Sequence, residues 1–235
     1  MKFKLELPFL TSAIDLLYPR LCIACEEEPY NSKLPVCIKC LMELPVCDME
    51  WHKENIFTER IYGRIDVEAA ASLFYFSKGG KVQHLIHQTK YSGNGNIAAL
   101  LGNWMGSKLK ESTLFKNIEI VVPVPLHKTK LKIRGFNQSE EFGKGIAGVL
   151  NIELKANALK RLQSSVSQTS KNRLERLANV HQSFELDVST NLENKHILLV
   201  DDVLTTGATM EACAEKLMKI PGIKLSLASI AVVVD

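Results

Sequence analysis

The sequence predicts an α/β protein, in which helices flank a parallel β-sheet and a small four-cysteine module precedes it. Three apolar segments are typical of buried strands and alternate with helical segments: "IEIVVPVPL", "HILLVDD" and "LSLASIAVVV". Because they lack polar alternation, both faces of the sheet should be covered. Two Cys-x-x-Cys motifs within the first 60 residues predict the module.

The remaining elements continue the alternation of strand and helix. "VEAAASLFYF" predicts a further strand, and "KVQHLIHQTKY" places its apolar side chains on one helical face. Helices are also expected in three other places: residues 97–109, 139–150 and 209–220. We therefore expect two parts, an N-terminal module at residues 1–60 and an α/β domain at residues 61–235.

The composition narrows the class of protein. Of the 235 residues, 46% are hydrophobic and 23% charged, which favours a packed core over disorder. The net charge of +3 does not by itself indicate a nucleic-acid or membrane partner. No apolar run reaches the roughly 20 residues that span a bilayer. Glu6 and Asp15 interrupt the first apolar stretch, so we expect a short amphipathic helix there and a cytoplasmic protein.

Four cysteines have the spacing of a structural zinc site. Cys22 with Cys25 and Cys37 with Cys40 form two C-x2-C motifs, separated by eleven residues. Two such turns can close a tetrahedron of thiolates around Zn²⁺, and a reducing compartment disfavours disulfides. Four thiolates leave no open position, so the zinc would be structural. Buried reduced cysteines and two disulfides are the alternatives.

The segment "HILLVDDVLTTGAT" carries the strongest functional signal. Asp201 and Asp202 stand at the carboxyl end of a predicted strand, where parallel sheets bind their ligands. The following loop offers hydroxyls, free amides and Gly207 before a helix N-terminus, which suits a phosphate. The acids would repel a phosphate, but they can accept hydrogen bonds from hydroxyls beside it. Ribose 5-phosphate has both groups, and the pattern favours it.

Two simpler interpretations explain parts of this segment. Thr206 or Thr209 could cap a helix without any ligand. The adjacent acids could hold magnesium, as in receiver domains or haloacid-type phosphatases. Neither explains why acids, threonines and glycine occur together.

The same segment resembles the phosphoribosyl-pyrophosphate (PRPP) signature of type I phosphoribosyltransferases, and the match is complete over the motif. Beyond it, the order of several segments is similar to that of the ComF family, competence-associated and amidophosphoribosyltransferase-like proteins that include the GntX proteins: "LLYPRLC", "TKYSGNG", "VPVPLHKTKLKIRGFNQSEEFGKGIA" and "SQTSKNRLERLANV". The resemblance covers nearly the whole chain. It implies a type I phosphoribosyltransferase-like sheet after a module of the double zinc-ribbon kind.

The resemblance also implies roles for individual residues. Asp201 and Asp202 would bind the ribose hydroxyls, and Lys90 matches a recurring family lysine. Arg134 lies in a basic stretch, residues 127–134, that we expect to be a loop, and its paired donors suit the pyrophosphate. The catalytic candidates are Asp201, Asp202 and Arg134. The remaining PRPP-binding candidates are Val203, Leu204, Thr205, Thr206, Gly207, Ala208 and Thr209, and Mg²⁺ would accompany PRPP.

Two further segments bear on the comparison with the family. Residues 167–179 resemble the flexible loop that closes over the site in related transferases. Some family members have a second set of cysteines, of which only Cys47 is present here, and this departure argues against a second zinc ion. Cys47 and His52 form a weak ligand pair with no assigned role.

Two functions follow from these observations. The first is transfer of the phosphoribosyl group from PRPP to an unidentified acceptor, through an oxocarbenium-like state and with release of pyrophosphate. The second is a protein of natural transformation and DNA uptake that has the PRPP pocket, handles single-stranded DNA with competence proteins and does not turn over. The resemblance to the competence-associated family implies this role, and so does the basic stretch Lys128 to Arg134 beside Phe136, an aromatic residue that could stack on a base. Neither function requires membrane insertion.

Overall fold

The computed structural model describes residues 21–30, 35–47, 54–91, 95–162, 183–187 and 189–234. The predicted N-terminal helix, His52 and the loop at 167–179 lie outside these ranges. Within them, no helix combines the length and the apolar character that crossing a bilayer requires.

A five-stranded parallel sheet forms the centre of the molecule. All four neighbouring strand pairs run parallel, which confirms the predicted class of fold. The strand order is β1-β7-β6-β2-β3, so β6, which carries the acidic pair, is central and β2 lies beside it. β4 and β5 form a separate antiparallel pair. The strands are β1 (Ala69–Phe76), β2 (Ile120–Pro123), β3 (Glu153–Leu154), β4 (Leu159–Arg161), β5 (Phe184–Leu186), β6 (His196–Leu204) and β7 (Lys224–Val233).

Seven α-helices are found in the described residues, and they include the four that the sequence predicts within residues 81–220. The predicted basic loop at residues 127–134 is wrong, because the structure has a short helix, α5, at that place. The helices are α1 (Ile38–Glu43), α2 (Ile56–Ile61), α3 (Lys81–Tyr91), α4 (Asn96–Glu111), α5 (Lys128–Arg134), α6 (Gln138–Leu150) and α7 (Ala208–Leu217).

Apolar side chains are buried on both faces of the sheet, which explains the unbroken apolar segments. In β6, Leu198 and Val200 face a cluster that includes side chains of α3, α4 and α6. Ile197 and Leu199 point the other way, into a cluster that includes side chains of α2 and α7. This alternation fixes the register of β6 and hence the position of the acids at its end.

Glycines let α4 and α6 pack unusually close together. A Cβ atom on Gly102 would lie 2.1 Å from the carbonyl oxygen of Phe142, and one on Gly145 would lie 2.2 Å from that of Ala99. Neither contact is possible for a larger residue without moving a helix. The close packing fixes α6, whose first residues line the candidate site.

The cysteine module packs directly on the sheet. Val46 forms a bridge with Phe74, and the amide of Cys47 donates to the carbonyl oxygen of Leu73 at 2.8 Å. Cys22, Cys37 and Cys40 belong to the same buried cluster as Phe74. Since α2 extends across residue 60, the predicted boundary falls within a helix, and the division at that residue stays a prediction.

Candidate functional site

Asp201 and Asp202 lie near the end of β6 in a network of short polar contacts. Ser139 Oγ donates to Asp201 Oδ1 at 2.8 Å, and the amide of Asp202 donates to the same oxygen at 2.8 Å. The amide of Val203 donates to Asp202 Oδ1 at 2.7 Å. Lys90 Nζ lies 2.9 Å from Asp202 Oδ2. The lysine singled out from the sequence thus contacts the acidic pair directly.

The two carboxyl groups differ in their electrostatic environment. Burial raises the pKa of Asp201 to about 7, and the nearby charge of Asp202 adds to the rise. The hydrogen bonds from the Asp202 amide and Ser139 oppose it, but they are weaker effects. Asp201 therefore keeps its proton to a higher pH than an ordinary carboxyl group. Hydroxyl donors or a cation placed against the pair would favour its ionised form.

The loop between β6 and α7 leaves its amides available. Gly207 has a φ of +80°, in the left-handed region that favours glycine, and it precedes the first turn of α7. At this N-cap Gly207 has no side chain to accept a hydrogen bond, and the amide of Ala208, the first residue of α7, makes a long contact of 3.5 Å with Thr206 Oγ1. The unused N–H groups and the helix dipole together form a surface that suits an anion.

Two arginines hold this loop from the side of α2. Arg60 Nη1 donates to the carbonyl oxygen of Thr205 at 3.2 Å, and Arg64 Nη2 donates to that of Thr206 at 2.9 Å. Arg64 also pairs with Glu211 of α7 at 2.8 Å. The arginines thus bind carbonyl groups of the loop. Neither residue could be predicted from the sequence, because no motif links residues 60–64 to the loop about 140 positions later.

A cavity of about 190 Å³ opens between the acidic pair and the start of α6. A second, of about 20 Å³, lies against the loop, and three residues line both: Asp201, Val203 and Thr209. The walls of the larger cavity include four basic side chains: Lys90, Lys130, Arg134 and Arg161. Of the predicted residues of β6 and the loop, Thr206 lines neither cavity, and the others line the two cavities together with Lys90 and Arg134. Arg161 and Ser139 were not predicted, and only the topology of the sheet reveals them.

Arg134 is held at the end of α5. Gly135, with a φ of +82°, ends the helix, and its amide bonds to the carbonyl oxygen of Leu131. The guanidinium of Arg134 donates to Gln138 Oε1 at 2.8 Å and lies 5.5 Å from the centre of the Tyr91 ring. These contacts place a forked donor on the cavity wall.

The four cysteines converge as the spacing suggested. The Sγ atoms of Cys22, Cys25, Cys37 and Cys40 all lie within 4.8 Å of one another. Cys25 and Cys37 are 4.0 Å apart, close to the roughly 3.8 Å that a tetrahedral site with Zn–S bonds of about 2.3 Å requires. Backbone amides, first that of Glu28, lower the pKa of the Cys25 thiol to about 7. The group fits a metal ion such as zinc.

Comparison with known proteins adds to this geometry. Residues 137–235 match the family model described as a phosphoribosyl transferase domain. The chain is 27% identical to competence protein ComFC of Streptococcus pneumoniae over 208 residues, which cover 87% of this chain and 83% of that protein. It is 31% identical to competence protein F of Haemophilus influenzae over 112 residues, covering 47% and 49% of the two chains.

These matches decide the family. The chain is a ComF-family, type I phosphoribosyltransferase-like protein. It is also 28% identical to the DNA utilization protein YhgH of Escherichia coli K12 over 138 residues, and this ComF-family chain spans 60% of that relative's length.

Two solved structures are similar to this ComF-family protein at a lower level. Adenine phosphoribosyltransferase of Saccharomyces cerevisiae gives a TM-score of 0.40 at 15% identity, over 59% of this chain and 70% of that one. The PRPP amidotransferase of B. subtilis gives a TM-score of 0.41 at 16% identity, over 60% of this chain and 30% of that one. At these TM-scores, the similarities add nothing to the assignment of the site.

Proposed function

We propose that this ComF-family protein binds PRPP and transfers its phosphoribosyl group to an acceptor, with release of pyrophosphate. One observation carries the proposal: paired carboxylates stand between an amide-rich loop and a basic wall, in two adjoining cavities. PRPP has the matching order of groups, namely a 5-phosphate, vicinal hydroxyls and a diphosphate.

Each part of the site then has a role that its chemistry supports. Asp201 and Asp202 accept hydrogen bonds from the ribose hydroxyls, and hydrogen bonds to charged groups are worth about 1.5–3 kcal/mol each. The 5-phosphate binds the loop amides and hydroxyls from Thr205 to Thr209, in place of the 3.5 Å contact between the Ala208 amide and Thr206 Oγ1. Lys90 leaves Asp202 when the hydroxyls arrive and becomes available to the ligand.

The basic wall suits the diphosphate. Arg134 offers parallel N–H donors to its oxygens, and Lys130 and Arg161 line the same cavity. Mg²⁺, when bound with PRPP, would neutralise part of the diphosphate charge. The positive side chains would stabilise the charge that builds on the leaving diphosphate as the C1–O bond breaks.

The four-cysteine group has a structural role in this proposal. Zn²⁺ would bind Cys22, Cys25, Cys37 and Cys40, with no position left for substrate. The group lies in the buried cluster below β1 rather than in either cavity of the site.

The binding of magnesium-PRPP tests the proposal. In a calorimetric titration we expect the protein to bind, and Asp201→Asn with Asp202→Asn to weaken binding at least about 100-fold, since two hydrogen bonds to charged groups are lost. The zinc content should not change in the double variant. Unchanged affinity would contradict the proposal, and release of pyrophosphate with a panel of nucleobases would then test turnover.

A second function is supported by α5. Three lysines are exposed on this helix: Lys128, Lys130 and Lys132. In addition, the proteins to which the chain is similar include competence and DNA utilization proteins. A single strand of DNA could bind there through its phosphates, without turnover at the site. This function predicts an affinity for single-stranded DNA that falls steeply with salt, and binding that is absent or insensitive to salt would count against it.

A further inference from the structure

The side chain of Gln138 is buried in the wall of the site with one half of its amide unpaired. Gln138 is the first residue of α6 and is only 2% exposed. Its Oε1 accepts a hydrogen bond from Arg134 Nη1, whereas its buried Nε2 has no partner among the residues that the structure describes. Buried amide groups without partners are rare in folded proteins, so this one calls for an explanation.

The orientation of the amide follows from Arg134. A guanidinium has only donors, so the atom of Gln138 that faces it must be the oxygen. The NH₂ group then faces away from Arg134. Rotating the amide by 180° would set donor against donor and lose the bond. The unpaired donor is therefore a consequence of the arginine, and its acceptor must come from elsewhere.

The location of Gln138 indicates which ligand group supplies that acceptor. Gln138 lines the larger cavity, together with Arg134, Lys130 and Arg161. The small cavity at the phosphate loop is lined by other residues. In the proposed function the ribose hydroxyls belong to the acidic pair and the 5-phosphate to the loop. The group that remains for this basic wall is the diphosphate.

We propose that Gln138 is a further ligand-binding residue: its Nε2 donates to a diphosphate oxygen, while its Oε1 holds Arg134 against the same group. One buried side chain thereby aims its own donor and that of the arginine at one anion. This inference rests on the proposed function and specifies which residues recognise the leaving group.

Gln138→Glu tests the donor with little change of shape. The carboxylate still accepts from Arg134, but it replaces the NH₂ group by an anionic oxygen. We expect the affinities for inorganic diphosphate and for PRPP, each with Mg²⁺, to fall about tenfold or more, and that for ribose 5-phosphate to change by less than about twofold. Gln83→Glu is the matched control, because Gln83 is exposed on α3 and also uses its Oε1, to accept from the amide of Gly79.

A neutral variant separates the lost donor from the added charge. The methionine of Gln138→Met is similar in size to glutamine and has no hydrogen-bond donor. This variant should also weaken the binding of diphosphate more than the binding of ribose 5-phosphate. Melting curves report whether both variants fold. The inference would be overturned if diphosphate and ribose 5-phosphate lost affinity equally, or if the affinity for diphosphate were unchanged in both variants. If the unaltered protein bound neither PRPP nor ribose 5-phosphate, the proposed function itself would fail and the inference with it.

Discussion

Asp201 and Asp202 are neighbours in sequence, but their surroundings give them different properties. Asp201 accepts from Ser139 in a partly buried position, whereas Asp202 pairs with Lys90. The acids could be identified from the sequence, because a known motif contains them. Lys90 was singled out by its match to a recurring family lysine, but neither its contact with Asp202 nor that of Ser139 with Asp201 could be predicted, since both residues lie on helices whose orientation depends on packing.

The raised pKa of Asp201 predicts how stability depends on pH. A carboxyl whose pKa is about 7 in the folded protein and 3.8 in the unfolded chain binds more protons when folded between these values. The free energy of unfolding should therefore fall as the pH rises from about 4 to about 7. Urea unfolding at several pH values should show this fall in the unaltered protein and a weaker one in Asp201→Asn.

Asp187→Asn is the control for that experiment. The Lys160 ammonium lowers the pKa of Asp187 to about 2, so its contribution is lost only as the pH falls through that value. Between pH 4 and pH 7 the free energies of unfolding of Asp187→Asn and of the unaltered protein should therefore differ by a constant amount. The same slope in all three proteins would contradict the assignment to Asp201.

At the scale of elements, hydrophobic periodicity explains what the sequence could predict. The strands β1, β2, β6 and β7 and the helices α3, α4, α6 and α7 have buried apolar faces and were expected, whereas the short strands β3, β4 and β5 were not. α5 was expected to be a loop because none of its residues is buried, so it has no apolar period. The signals that could have found it are local ones: His127, whose side chain accepts from the amide of Thr129, and Gly135 after the last turn.

The hydrogen bond from Arg64, which follows α2, to the loop between β6 and α7 makes Arg64 a positioning residue. Arg64→Ala removes its bonds to Thr206 and Glu211 and should weaken ribose 5-phosphate binding about tenfold, since the loop loses its outer support. Lys219→Ala removes an exposed positive charge just after α7 and should have no more than a small effect. Equal effects of the two variants would indicate long-range charge rather than positioning.

The close packing of α4 on α6 predicts opposite effects for two glycine substitutions. Gly102→Ala places a Cβ against the carbonyl of Phe142 and should lower the free energy of unfolding by about 1–3 kcal/mol. Gly148→Ala, on the exposed face of α6, meets no atom within 4 Å and should raise it by about 0.5–1 kcal/mol. Urea unfolding measures both, and a loss of stability in Gly148→Ala would contradict the packing described.

For the whole molecule, the fold assembles a site from distant segments. β6 supplies the acids, the loop after β2 leads to Arg134, and β4, in the separate antiparallel pair, supplies Arg161. The motif predicted the ligand class, and the family resemblance and the basic stretch pointed to Lys90 and Arg134, whereas no pattern within a single segment predicted Arg161. The module with the four cysteines packs under β1, so a metal ion bound there would affect the stability of the fold rather than the chemistry of the site.

Removal of the metal should therefore destabilise the protein. Metal analysis should find one zinc ion per chain, and Cys40→Ser should lose it and lower the melting temperature by about 6 °C or more, equivalent to about 3 kcal/mol. Cys213→Ala, at a buried cysteine outside the group, should keep the zinc. A full zinc content in Cys40→Ser would contradict the proposed metal site.

A crystal structure with bound ribose 5-phosphate would show whether this pocket recognises a phosphorylated sugar. We expect the phosphate on the amides of the loop from Thr205 to Thr209, with the ring hydroxyls on Asp201 and Asp202. A sugar bound elsewhere, with this loop empty and the two carboxylates turned to a metal ion of their own, would contradict it.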